Sequence, residues 1–315
     1  MGKIRRKPVN EAKGDLATAG IKFTKDKGQH ILKNPLVVKT MIEKAGIKPS
    51  DVVLEIGPGT GNLTVKLLEK AKQVIAYEID KRMVSELTKR VLGTPNQRKL
   101  DIQVGDVIRN PVWPKFDLIV SNLPYQISSP FVRRLISAGK SYRCAIVMVQ
   151  KEFADRLLAK PGDKIYSRLT VNAQMHCKFY HLMKIDRNSF RPPPKVDSAV
   201  IRIEPRHPKP PVSEIEMDEL LRICFQRKNR TLNSNFNNKG TLKILLDKHK
   251  KYRQMLIDNK VKTEPEEDIS VEDFYEKIKK VLVDSNSDTM RARTMTEEDF
   301  LRVLLNFKKS EIVFE

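Results

Sequence analysis

Three observations predict an α/β fold built on a parallel sheet and followed by a smaller helical domain. Short apolar runs at 51–56, 73–77, 100–104 and 116–120 read as strands buried on both faces, and helical patterns separate them. The first run leads through Gly57, Gly59 and Gly61 into a helix starting near Asn62, the strand, glycine turn and helix unit of open α/β sheets. Beyond a Pro-rich stretch at 205–212 only helical periodicity remains. At 315 residues the chain is long enough for two cores.

In order, residues 1–20 read as a polar, disordered tail with a basic knot at Lys3, Arg5, Arg6 and Lys7. Such a knot is either a nuclear or nucleolar address or an electrostatic arm for RNA. Gln29 and His30 follow, and Asn34-Pro35 opens an amphipathic helix to about Ala45, with Leu36, Val37, Met41 and Ile42 on its apolar face. The second strand ends in Glu78, about twenty residues past the glycines and placed to accept from both ribose hydroxyls. The third ends in Gly105-Asp106, whose carboxylate can accept from an adenine amino group, and the fourth delivers Asn122. Helix is expected at 130–137 and 150–159, strand at 144–149, 166–173, 178–182 and 199–203, and helix at 214–225, 240–254, 271–283 and 296–307.

Gly-x-Gly-x-Gly is neither the dinucleotide fingerprint nor a P-loop, since no Lys-Ser/Thr pair follows it. A ligand with an adenosine and no phosphate satisfies the glycines, Glu78 and Asp106 together, which points to S-adenosylmethionine. Asn122-Leu123-Pro124-Tyr125 sits where open sheets bind ligands. The Asn122 carbonyl and the Leu123 backbone carbonyl can both accept from an exocyclic amine. Pro124 stiffens the turn, and the Tyr125 ring offers a stacking face, with the ring rather than the hydroxyl expected to matter. A plain strand-to-loop turn would carry the same four residues. Phe190 opens a proline run at 192–194 and is placed to stack on the opposite face of a base. By itself that run reads as a stiff connector.

The charge of +21, from 60 Lys and Arg against 39 Asp and Glu, favours a polyanionic partner, and nucleic acid is the first candidate. Between Arg222 and Arg253 ten basic residues face only Asp247, either an RNA surface or a solvated face. No apolar run reaches the ~18 to 20 residues of a membrane span, and the first residues lack a secretory signal, so a soluble intracellular protein is expected. Cys144, Cys177 and Cys224 are too scattered for zinc or disulfides, so no metal is expected.

The stretches GQHILKNP, VLEIGPGTGN, NLPYQISSPF, FRPPPKV and RARTM together resemble the rRNA adenine N6,N6-dimethyltransferases, most of all the eukaryotic members acting on 18S rRNA. The resemblance covers nearly the whole chain from about residue 22 and implies a class I, Rossmann-like methyltransferase with a seven-stranded, mostly parallel sheet. The implied division is a methyltransferase domain at 21–204, a linker at 205–212 and a helical RNA-binding domain at 213–315. It implies cofactor contacts from His30, Leu32, Gly57, Gly59, Glu78, Asp106 and Asn122, with Gln29 beside them. The target adenine then lies at Asn122, Leu123, Pro124 and Tyr125, with Phe190 on its other face. Dimethylation of two adjacent adenines near the 3′ end of small-subunit rRNA follows, coupled to pre-rRNA processing. The expected setting is the nucleolus and nucleus, on pre-ribosomal particles, as a monomer away from membranes. A methyltransferase of small molecules or proteins would not explain the charge. An RNA-binding assembly factor would not need Glu78 or Asn122, and a mitochondrial relative would need an import sequence that the basic start does not resemble.

Overall fold

The structure is a computed structural model that describes residues 30–138, 142–259 and 269–314. The expected tail 1–20 and Gln29 lie outside the described residues. In chain order the elements are β1 (Ile31–Leu32), α1 (Pro35–Ala45), β2 (Val52–Ile56), α2 (Thr64–Leu68), β3 (Gln73–Glu78), α3 (Lys81–Val91), β4 (Leu100–Val104), β5 (Leu118–Asn122) and α4 (Ser128–Ala138). There follow β6 (Cys144–Gln150), α5 (Lys151–Leu158), α6 (Arg168–His176), β7 (Cys177–Ile185), β8 (Phe190–Arg191) and β9 (Ser198–Pro205). The helical part is α7 (Glu214–Cys224), α8 (Leu232–Phe236), α9 (Lys239–Asp258), α10 (Val271–Asp284) and α11 (Glu297–Lys309).

Seven strands form one sheet in the order β4-β3-β2-β5-β6-β9-β7, with only β9 reversed against its neighbours. The order turns back between β2 and β5, which opens a crevice at their carboxyl ends, where such sheets take ligands. Both faces are covered, as unbroken apolar strands require. Val37, Met41, Leu67 and Leu87 of α1, α2 and α3 pack with Val53, Val74 and Val120 on one face. Phe131, Leu135 and Leu157 of α4 and α5 pack with Ile119, Val147 and Ile201 on the other. β1 and β8 pair in a separate two-stranded ribbon that joins the start of the described chain to the proline run.

The expected strand at 166–173 is instead helix α6. Leu169, Val171, Ala173 and Met175 alternate as a strand would, yet Leu169 and Ala173 face the sheet core whereas Val171 and Met175 face the helical core. A helix apolar on two opposite faces carries residues at i and i+4 on each, and the two stripes interleave into a false period of two. The Ser167 and Thr170 capping box starts it. Through α6 the helical core reaches back across the 205–212 stretch. That core also holds Phe236, Phe274, Phe300 and Phe307. Helix α8, absent from the elements the sequence predicts, is capped by Thr231 and buries Leu232 and Phe236.

Candidate active site

Leaving β2, the chain turns at Gly57, where φ is +66°. A Cβ there would lie 3.1 Å from the Pro124 ring, so a side chain would push the glycine turn off the Asn122–Tyr125 segment. Gly59, also at positive φ, donates its N–H to Glu78 Oε2 at 3.2 Å, and the Asp80 N–H donates to Oε1 at 2.9 Å. The carboxylate is thus held from two directions at the end of β3. Burial pushes its pKa up, opposed by these backbone bonds. The Arg90 guanidinium braces the turn from α3, donating to the Thr60 carbonyl at 2.9 Å and Asn62 Oδ1 at 2.6 Å.

These elements enclose a cavity of about 300 Å³. His30, Leu32, Gly57, Gly59, Glu78, Asp106, Asn122, Leu123, Pro124 and Tyr125 all line it, although up to 95 residues separate them. Asp106 already uses Oδ1 to accept from the Ile108 N–H at 2.9 Å, which fixes the turn after β4. Asn122 is the last residue of β5, two positions later than the expected strand end. Its Nδ2 donates to the His30 carbonyl at 3.3 Å, an orientation that leaves Oδ1 for a ligand. Leu123 is buried, with its N–H donating to the Met148 carbonyl at 3.2 Å. Tyr125 stacks on His30, with centroids 5.9 Å apart and planes 26° apart. Its hydroxyl meets Ser198 Oγ at 2.6 Å, and burial pushes the phenol pKa up.

Phe190 does not stand at the mouth of a loop as expected. It is 1% exposed, paired with Leu32 across the β1–β8 ribbon and packed in the core beneath α1, and it does not line the cavity. The physical reason is the ribbon itself: pairing turns the aromatic side chain inward with its neighbours, and a Phe carries no polar atom to hold it outside.

Two site residues were missed from the sequence. Ser198 gave no local signal. Glu55 did, as an acid inside an otherwise apolar strand; it lines the cavity, is 1% exposed, and its Oε2 has no hydrogen-bond partner among the described residues. Burial pushes its pKa to about 8, against the Thr64 hydroxyl and reinforced by the charge of Glu78. A carboxyl raised from its ordinary 4.5 to about 8 stabilises the fold fully at low pH, and that contribution is lost as pH rises through about 8. The ligand-free protein should therefore lose roughly 3 to 5 kcal/mol from this group as pH rises from the ordinary 4.5 to about 8, and Glu55→Gln should remove that part of the slope. Urea midpoints against pH for both proteins check this, and parallel profiles would refute it.

A family model described as ribosomal RNA adenine dimethylase matches residues 20–278. A Drosophila melanogaster protein named probable dimethyladenosine transferase is 48% identical over 315 residues, 100% of both chains. The Saccharomyces cerevisiae dimethyladenosine transferase is 48% identical over 297 residues, covering 94% of this chain and 92% of its own. The crystal structure of a Plasmodium falciparum dimethyladenosine transferase superposes with a TM-score of 0.82 at 43% identity, over 91% of this chain and 100% of that one. The structure of the 23S rRNA methyltransferase ErmE, at 24% identity and a TM-score of 0.60 over 88% of this chain and 99% of its own, shares the Rossmann-like fold. With the family model spanning most of its length and relatives matching end to end, the chain belongs to the ribosomal RNA adenine dimethylase family of methyltransferases.

Proposed function

We propose that the protein dimethylates the N6 amino groups of two adjacent adenines near the 3′ end of small-subunit rRNA, using S-adenosylmethionine, during pre-rRNA processing in the nucleolus and nucleus. The observation that carries this reading is the Asn122 amide, which lines the cavity beside the Leu123–Tyr125 turn and spends its Nδ2 on the His30 carbonyl, leaving Oδ1 as the acceptor. The cavity's donor set fits the cofactor. Glu78 offers acceptors for ribose hydroxyls, Asp106 retains acceptor capacity for an adenine amine, and Ile79 and Val107 supply apolar walls. When bound, the cofactor supplies an electrophilic methyl group on sulfonium.

The protein's own part is orientation and electrostatics. An adenine amino nitrogen is a poor nucleophile because its lone pair is delocalised into the ring. Accepting its two N–H bonds at Asn122 Oδ1 and the Leu123 carbonyl localises that pair and aims it at the methyl carbon. The nitrogen's proton becomes acidic only as the new N–C bond forms, so no base is required before attack. One N–H remains after the first transfer, which permits a second round. The base must leave its stack to enter, and stacking on Tyr125 at ~1 to 3 kcal/mol offsets part of that cost.

The rRNA-facing surface follows from charge. The basic run from Arg222 to Arg253 is partly neutralised by its own neighbours. Arg222 and Lys248 meet Glu219, Lys251 meets Asp247, and Arg253 meets Glu311. A denser cluster forms where three distant segments meet. The Gly162 N–H donates to the Arg293 carbonyl at 2.8 Å and the Arg293 N–H to the Lys228 carbonyl at 3.2 Å. The Lys228 ammonium donates to the carbonyls of Lys164 and Tyr166 at 2.8 and 3.2 Å. Exposed Lys160, Lys164, Arg230 and Arg291 are gathered there, with Asp163 among them. Arg227 is tied to Asn235 and to the Ser234 carbonyl, so it and Lys228 serve the fold. Neutralising Lys160, Lys164, Arg230 and Arg291 together should lower the slope of log affinity against log salt by about 2 to 3, at ~0.7 per lost phosphate contact, with the melting temperature unchanged. An unaltered slope would remove this face from the RNA interface. The function itself is tested by mass spectrometry of nucleosides from small-subunit rRNA in depleted cells, which should lack N6,N6-dimethyladenosine; its persistence would refute the assignment.

A further inference from the structure

Tyr125 begins a single 3-10 turn, Tyr125–Ile127, behind Pro124. So short a turn fixes the backbone entry but not the tilt of an aromatic ring two torsions away. Contacts from distant parts of the chain supply that constraint. The hydroxyl meets Ser198 Oγ at 2.6 Å, across 73 residues of sequence. One ring face lies on His30, whose Nδ1 is 2.9 Å from the Pro192 carbonyl on the far side of the ribbon. Ser198 is the more rigid support. It is fully buried at the first position of β9, opposite Gln150 of β6 on one side and Ile185 of β7 on the other. The preceding Asp197 carbonyl accepts from the Lys151 N–H at 3.0 Å, so the start of this strand is fastened on both sides.

We propose that Ser198 is a positioning residue for methyl transfer, its hydroxyl holding the Tyr125 ring at the angle at which it receives the target adenine. The proposal rests on the reading that Tyr125 is the stacking platform. A hydroxyl pair of this kind adds little net stability, because both groups bond water in the unfolded chain. What it provides is direction. A Phe at position 125 would fill the same space and leave the ring free to swing, and it would also leave the buried Ser198 hydroxyl without its partner. On this proposal the tyrosine hydroxyl is needed, contrary to the expectation drawn from the sequence that the ring alone matters. The supporting group sits on a sheet strand and the supported ring on a loop, the arrangement by which a scaffold passes its rigidity to a site.

The test uses the full-length protein with S-adenosylmethionine saturating and compares Ser198→Ala, Ser198→Thr, Tyr125→Phe and the Ser198→Ala/Tyr125→Phe double variant. Single-turnover methylation of a small-subunit rRNA substrate should slow about tenfold in each of the two disruptive single variants. Cofactor affinity by calorimetry should stay within about twofold, since neither group is assigned to the cofactor. Ser198→Thr retains the hydroxyl and should recover most of the rate. The double variant should be no slower than either single one, the non-additivity expected of two groups acting as a pair. Parent-like rates in Ser198→Ala, or a double variant as slow as the product of the singles, would overturn the proposal. If Ser198→Ala does not fold, as judged by lost cofactor binding, Tyr125→Phe decides alone, and a parent-like rate there overturns it. Tyr125→Ala separates the two levels. Should it methylate normally, the reading of Tyr125 as platform falls and the proposal with it; should it be inactive while Tyr125→Phe is normal, only the proposal falls.

Discussion

Asn122→Ala is expected to slow single-turnover methylation by about a hundredfold or more while changing rRNA affinity by less than about threefold. The asymmetry follows from when the contact matters. A neutral amide accepting from a ground-state amine gains little over water, but as positive charge develops on the nitrogen the same oxygen lies at the right place with no reorganisation. The structure adds a second test. Because Nδ2 is engaged by the His30 carbonyl at 3.3 Å, Asn122→Asp keeps an acceptor toward the cavity but sets a carboxylate oxygen against that carbonyl. It should fall between the parent and the alanine variant. Saturating cofactor must be used, since Asn122 also lines the cavity proposed for the cofactor. A parent-like rate for Asn122→Ala would mean that other residues hold the adenine.

Glu78→Ala should weaken S-adenosylmethionine binding by about ten- to a hundredfold, the effect of removing a charged hydrogen-bond partner. The carboxylate has two duties. It faces the cavity, and it accepts the N–H groups of Gly59 and Asp80 at 3.2 and 2.9 Å. Alanine therefore leaves two backbone donors unpaired, the Asp80 one buried, and loosens the glycine turn, which Glu78→Gln does only in part. Calorimetry on both variants apportions the loss: Gln should bind better than Ala yet worse than Glu, and unchanged affinity in a folded Glu78→Ala would end the ribose assignment.

Strands β2 to β5, the glycine turn, Glu78, Asp106 and the position of Asn122 were all legible from sequence, because each depends on a run of adjacent residues. An apolar strand, a glycine at positive φ and an acid at a strand end carry their own signal over a few positions. Local signals failed where one element serves two environments. The alternation from Leu169 to Met175 looked like a strand because α6 lies between two cores, which no window of the sequence contains.

The sequence by itself therefore determined the class of fold, the glycine turn and acids that line the cavity, and the Asn122–Tyr125 turn beside them. Tertiary structure decided how that turn is held. Asn122 to His30, Tyr125 to Ser198 and His30 to Pro192 are separated by 92, 73 and 162 residues. It also buried Phe190 in the ribbon and gathered Lys160, Lys164, Arg230 and Arg291 on one surface. The reason is that a side chain's chemistry is written in its type, whereas its partner depends on which strands become neighbours. Strand order is fixed by burial of the whole sheet, and only after that burial does a serine at the start of β9 come to lie against a tyrosine beyond β5.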